Sequence, residues 1–85
     1  MEGQMRGQTF GEKAVGLTFN PSGDPSVNKV KELCAELIDL CFSLQSSSDS
    51  EQSKASGEKI RMLKIAITEL QTAQMWAVKA ITWND

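Results

Sequence analysis

The sequence predicts an all-α fold: an antiparallel helical hairpin with a short N-terminal arm, assembling into a symmetric oligomer. Three observations lead there. Across residues 58–83 apolar side chains return as Ile60, Leu63, Ile67, Leu70, Ala77 and Ile81, the spacing of a helix with one face turned to a partner. Beside it runs a second stripe, Met62, Ala66, Ala73, Trp76 and Ala80. One short companion helix cannot cover both, so other copies of the chain are expected to share in burying it. The third observation is size. A chain of 85 residues makes one domain at most and leaves much of its surface exposed. Oligomerisation is then one of the few remedies, because neither disulfides nor a metal are expected.

The elements follow in order. Residues 1–16 are polar and Gly-rich, with Phe10 alone among them. They read as a mobile arm, ordered only where something docks on it. Residues 17–85 are the hairpin domain. Leu17, Thr18 and Phe19 are too few for a strand, and Asn20-Pro21-Ser22-Gly23-Asp24-Pro25 is a dense run of turn formers. That run ends as a helix start: Asp24 can accept from the free amides of the first turn, and Pro25 suits the first helical position. The first helix, about residues 25–45, carries Val27, Val30, Cys34, Leu37, Cys41 and Leu44 at alternating intervals of three and four, the seam of one helix on another. Leu33, Ile38, Leu40 and Phe42 widen the seam; Lys29, Lys31, Glu32, Glu36 and Asp39 form the polar side. Residues 46–57, SSSDSEQSKASG, have no apolar period and read as a flexible connector. The second helix spans about residues 58–83, with Ser56 as its cap and Glu58 suiting the dipole of its first turn. Ala66, Ala73, Ala77 and Ala80 let a neighbouring backbone approach, with Trp76 and Trp83 set against them.

Composition narrows function. A net charge of −2 gives no bulk attraction to a DNA or RNA polymer, so any phosphate contact needs a local basic cluster. No apolar run is long enough to cross a membrane. Glu2, Gly3 and Gln4 interrupt any leader-like region, and a cytosolic protein is expected. Cys34 and Cys41 sit seven residues apart, about 10 Å on one helix, which is too far for a bridge; they read as small buried thiols. The chain has no histidine, so a zinc site would need carboxylates or more thiols than it has. No metal and no cofactor are expected. Without histidine, tyrosine, a phosphate-cradling glycine motif or a nucleophile beside a base, no catalytic residues stand out and the chain reads as a non-enzyme. Glu69 is either a buried carboxylate or a residue at a stripe edge.

Binding is better supported. Lys29 and Lys31 lie within two turns of the amides freed at the first helix start, a combination suited to an anion. Phe19, just upstream, offers a ring that can stack on a base, worth ~1–3 kcal/mol by analogy with single-strand binders. The other reading of the same residues is a solvated lysine face with Phe19 stapled onto the first helix. Lys59, Arg61 and Lys64 form a second basic group at the start of the second helix. Arg61 and Lys64 share a face, so converging copies could surround a phosphate, or the group is simply solvated. Met75 and Trp76 read as core.

Two segments carry a resemblance. VGLTFNPSGDPSVNKVKELCAELIDL, residues 15–40, and KIAITELQTAQMWAVKAITWND, residues 64–85, resemble a family of short phage proteins with the helical hairpin shared by anti-CBASS and anti-Thoeris nucleotide sponges. In the second segment Thr68, Glu69, Leu70, Ala73, Met75, Trp76, Ala77, Ala80 and Ile81 match the family's pattern around its Met-Trp-Ala string. The resemblance implies dimers that combine into hexamers in the cytoplasm of the infected bacterial host. Such proteins hold cyclic oligonucleotides made by immune cyclases without cleaving them. It implies cyclic dinucleotides between paired protomers, touched by an aromatic and a lysine, here Phe19 and Lys31. It also implies, for some members, cyclic trinucleotides where three protomers meet, touched by a basic residue, here Arg61. Lys29, Lys64 and Thr68 complete the candidate ligand-binding set. This chain has phenylalanine where some members have tyrosine, and a longer loop. The alternative function is a helical structural or protein-interaction module without a nucleotide ligand, with the exposed side of the second helix meeting a partner protein.

Overall fold

The computed structural model describes residues 7–48 and 54–84. Three helices account for most of them: α1 (Phe10–Val15), α2 (Pro25–Ser48) and α3 (Lys54–Ile81). No strand occurs among the described residues. Helices α2 and α3 form an antiparallel hairpin. Val27, at the start of α2, lines one hollow with Val78 in the last turn of α3 and Thr82 just beyond it, while Ile38 and Ile67 share one core cluster midway. The body is flat, 50 × 40 × 12 Å.

Where a mobile arm is expected over residues 1–16, residues 10–15 are helical and docked; residues 1–6 lie outside the described residues. The sequence of α1 explains its order. The Thr9 hydroxyl accepts from the Glu12 amide at 3.1 Å, and the Glu12 carboxylate accepts from the Thr9 amide at 2.9 Å, satisfying two donors at once. Gly16 ends the helix at φ 65°, ψ 52°, a left-handed conformation that glycine adopts without a Cβ penalty. So short a helix is marginal alone. Docking supplies the rest: Val15 enters the core, Phe10 stacks on Phe42 with ring centroids 4.6 Å apart, and the Gly11 amide donates to Asp39 Oδ1 at 2.7 Å.

The turn into α2 is built on Asn20. Its amide group donates to the Asp24 carbonyl and to Asn28 Oδ1, at 3.0 and 3.1 Å. Its carbonyl oxygen accepts from the Ser22 hydroxyl and the Gly23 amide. Asp24 caps α2 as expected, accepting from the Ser26 amide at 2.8 Å, with Pro25 the first helical residue. Helix α2 continues to Ser48 and α3 begins at Lys54, so the connector is shorter than the expected span of residues 46–57; residues 49–53 lie outside the described residues. Ser56, expected as the cap, is the third residue of α3.

The core is Val15, Ala35, Ile38 and Ile67, with Ala14, Leu17, Cys34, Cys41 and Leu70 packed around it. Burial pushes the Cys34 thiol pKa up. The buried face of α2 is rotated from the expected seam: Val27, Lys31, Ala35 and Ile38 are buried, while Leu37 and Leu44 are exposed. The face of α3 turned to α2 carries Ile67, Leu70 and Gln74. Its second stripe is largely uncovered by the described residues: Ala66 is half-buried, and Ala73 and Ala80 are exposed. Met62, Met75 and Trp76 are exposed, against the expectation that Met75 and Trp76 are core, and Glu69 is exposed too. No helix among the described residues is long and apolar enough to cross a membrane.

Candidate functional site

The hairpin's open end, where α2 begins and α3 finishes, holds a hollow of about 220 Å³ lined by Phe19, Asn20, Pro21, Ser22, Val27, Lys31, Val78 and Thr82. The Asn20-centred turn fixes one wall, and Val78 in the last turn of α3 with Thr82 just beyond it supplies the other. Lys31 sits in it with only 4 % of its surface exposed. Its Nζ donates to the Gly16 carbonyl at 2.9 Å and to the Phe19 carbonyl. It also lies 5.5 Å from the centroid of the Phe19 ring, within cation–π range. The Phe19 amide in turn donates to the Gly16 carbonyl at 2.9 Å. Among the described residues no carboxylate pairs with Lys31. An ammonium has three donors, and carbonyls hold two of them here. The hairpin mouth therefore carries a buried positive charge with no counter-ion among the described residues. Phe19 is the opposite case. The residue is 69 % exposed, too much for a side chain stapled onto a helix, and leaves ring surface for stacking.

The structure thus brings Phe19 and Lys31 together and places the other candidates elsewhere. Lys29 is exposed, two residues and so roughly 200° around α2 from Lys31. Arg61, Lys64 and Thr68 lie toward the other end of α3, with Arg61 roughly 25 Å along the helix from Val78 by its rise per residue. Arg61 is already paired: its Nε and Nη2 meet the Glu58 carboxylate at 3.1 and 2.5 Å. Those hydrogen bonds hold Glu58 below the ordinary carboxylate pKa and raise that of Arg61. Both side chains are exposed, so the pair is solvent-screened and exchangeable. The Thr68 hydroxyl donates back to the Lys64 carbonyl at 3.2 Å. Lys64 and Thr68 are exposed on the same side of α3 as Arg61, at intervals of three and four.

Sequence reasoning missed three features. Val78 and Thr82 reach the hollow from the far end of the chain, which only the pairing of α2 with α3 could reveal. Lys79 lies beside them, its Nζ 5.5 Å from the Trp76 ring, on a hollow of about 530 Å³ shared by Trp76, Lys79, Ala80 and Trp83. Gln74 is 6 % exposed in the helix interface, and no hydrogen bond reaches its carboxamide from the described residues. No cluster of three or more metal-ligating side chains occurs among the described residues.

Comparison with known proteins adds the family. No curated protein and no solved structure matches the chain significantly. The family model described as the Acb2/Tad1 hairpin domain matches residues 12–82, which takes in the turn, the hollow and both long helices. The chain therefore belongs to the Acb2/Tad1 hairpin domain family, that of the anti-CBASS and anti-Thoeris sponges.

Proposed function

We propose that this chain is a non-enzymatic sponge that binds and sequesters cyclic oligonucleotide second messengers, antagonising bacterial anti-phage immunity in the cytoplasm of the infected host. The observation that carries the reading is the buried ammonium of Lys31, with no carboxylate partner among the described residues, beside the ring of the exposed Phe19. A phosphate beside a base needs such a charge beside such a ring. A charge-assisted hydrogen bond contributes ~1.5–3 kcal/mol and stacking ~1–3 kcal/mol per base.

Size argues for a shared site. At about 220 Å³ the hollow falls below the ~300–1,000 Å³ of sites that enclose a drug-sized ligand. One hollow suits one base and its phosphate. A cyclic dinucleotide has two of each in approximate two-fold symmetry, and a symmetric pair of chains presents each side chain twice. Doubled in this way, a few contacts reach the ~12 kcal/mol of nanomolar affinity. The exposed apolar seams support assembly: Leu33, Leu37, Leu40 and Leu44 on α2, Met62 and Trp76 on α3, and Trp83 just beyond its end. We read the assembly as a hexamer built from dimers. Where three chains converge, Arg61, Lys64 and Thr68 would meet a cyclic trinucleotide, with Arg61 exchanging Glu58 for phosphate and Lys29 adding charge outside the pocket.

The test is calorimetric titration with a panel of 3′,3′-linked cyclic dinucleotides and cyclic trinucleotides. Phe19→Ala is the decisive variant, because the ring is exposed and its loss does not touch the core. We expect dinucleotide affinity to fall by the ~1–3 kcal/mol of a stacked base, with trinucleotide binding retained. Ligand should be recovered intact after the complex is denatured. No binding by the wild-type chain, or unchanged affinity in Phe19→Ala, would overturn the assignment. A protein-interaction module is favoured by one observation, the exposed Trp76 and Trp83 around their hollow. On that reading no cyclic nucleotide shifts the melting temperature.

A further inference from the structure

We propose that Asp39 is a positioning residue for the Phe19–Lys31 hollow, acting through α1. The proposal rests on the nucleotide reading above for its ligand, and on the α1–α2 contact for its geometry. Asp39 lies eight residues beyond Lys31 on α2, about 12 Å along the helix, and does not line the hollow. By sequence it belongs to a polar, solvated face. In the structure its Oδ1 instead accepts the Gly11 amide at 2.7 Å, a link across 28 residues of chain.

The contact is built from both sides. Gly11 is buried, and a Cβ there would stand 2.2 Å from the Ala35 carbonyl oxygen and 2.9 Å from Asp39 Oδ1. No side chain fits, so α1 sits on α2 at backbone contact, and at that approach the Gly11 amide needs an acceptor. Asp39 supplies it. Thr9, Phe10 and Gly11 precede the residues that match the family model, 12–82.

From this latch a chain of short links runs to the ligand hollow. Helix α1 ends at Gly16, whose amide donates to the Lys13 carbonyl at 3.1 Å, and the Leu17 amide donates to the Glu12 carbonyl at 3.0 Å. The Gly16 carbonyl then accepts both the Phe19 amide and the Lys31 ammonium. With its ring mostly exposed, Phe19 is placed mainly through this backbone. Lys31 is oriented by the Gly16 and Phe19 carbonyls. Both groups take their positions from where α1 ends, and α1 is pinned to α2 at Asp39.

Asp39→Ala, Asp39→Asn and Gly11→Ala test this, with two readouts on the full chain: amide hydrogen exchange, and affinity for the same cyclic dinucleotide panel. In Asp39→Ala we expect faster exchange at Gly16, Leu17 and Phe19, an unchanged α2–α3 core, and affinity about tenfold weaker, the scale of one positioning hydrogen bond. Asp39→Asn keeps an acceptor oxygen and should restore both. Gly11→Ala reaches the same loss from the other side of the contact. Unchanged exchange in Asp39→Ala would show that the latch does not hold α1. Wild-type affinity despite faster exchange would show that α1 does not position the site. Weak binding in Asp39→Asn equal to that in Asp39→Ala would assign the effect to charge and overturn the proposal. A wild-type chain that binds none of the panel brings down the nucleotide reading, and the proposal with it; that result is separable, because the exchange data still report whether the latch holds.

Discussion

Replacing Gln74 with leucine should make this protein more stable. The side chain is 6 % exposed in the interface that α3 turns to α2, and its carboxamide has no hydrogen-bond partner among the described residues. An amide removed from water without a partner costs ~1–3 kcal/mol on mutational scales. Leucine is close in volume and carries no polar atoms, so the substitution removes that penalty without opening a cavity. Packing strain from the branched side chain takes back some of the gain. A net ~1–2 kcal/mol remains, and for a domain of this size each kcal/mol moves the melting temperature by ~4–8 °C. The assay is thermal and urea unfolding at one fixed protein concentration, because the apparent stability of any chain that self-associates follows concentration. A higher urea midpoint at unchanged slope is the expected result. A loss of stability would refute the reasoning, since it would mean that the carboxamide is hydrogen-bonded. Higher stability with weaker nucleotide binding would show that the orphaned amide is kept for the site. Gln74 lies on α3 between Val78 and Ile67, while Lys31 lies on α2 between Val27 and Ile38, so the two buried polar residues share one stretch of the interface.

Three further outcomes are expected. Trp76→Glu should leave helix content unchanged and reduce the native mass measured by mass spectrometry, because Trp76 is 66 % exposed within the chain and a carboxylate there opposes burial by another copy; an unchanged mass would remove that face from the assembly. Lys31→Met should weaken dinucleotide binding by at least the ~1.5–3 kcal/mol of one charge-assisted hydrogen bond, measured by calorimetry, while costing less than that in urea unfolding; intact affinity would leave Lys31 as a backbone clamp only. Cys34 should be alkylated more slowly in the folded chain than in urea at pH 8, since burial raises its thiol pKa and lowers the thiolate fraction. By linkage the fold favours the neutral thiol, so stability is full below the unfolded thiol's range and falls as pH rises through the folded one. Equal alkylation rates would refute the burial.

Local signals were legible in the sequence, and signals needing a partner element were not. Asp24-Pro25 marks the start of α2 because capping is settled within one turn. The first stripe of α3 marks its buried face because six apolar residues repeat on it. On α2 the same method sets the seam off by part of a turn: Val27, Cys34 and Cys41 do turn to the core, but Lys31 and Ala35 are buried in place of Leu37 and Leu44. Periodicity assigns a lysine to the solvent, and an alanine adds too little to outweigh the leucines opposite. Helix α1 is too short for a period to show, yet Thr9 with Glu12, and Gly16 after Val15, are start and stop signals that a capping scan would find. Phe19 could be grouped with Lys29 and Lys31 because all three lie near the first helix start, and the family resemblance singles out Lys31. Val78, Thr82 and the Asp39 latch each depend on which residues meet across elements, and no local pattern carries that.

The odd feature of the site is that Lys31 is buried at all. A lysine in a helix interface gives up its hydration, and replacing a buried charge by an apolar side chain is often neutral or stabilising. Two backbone carbonyls repay part of that cost. They repay it by placing the ammonium at the wall of a hollow rather than letting it swing into solvent. A flexible surface lysine loses ~1–2 kcal/mol of side-chain entropy when a ligand fixes it; Lys31 has lost it already, on folding. Preorganisation of this kind raises affinity without any new contact. On the proposed sponge reading it serves what sequestration requires, a ligand held tightly and released slowly. The same carbonyls limit the gain, since a phosphate must share the ammonium with them. The site therefore needs a second anchor that spends nothing on the fold, and the exposed ring of Phe19 is placed to supply it.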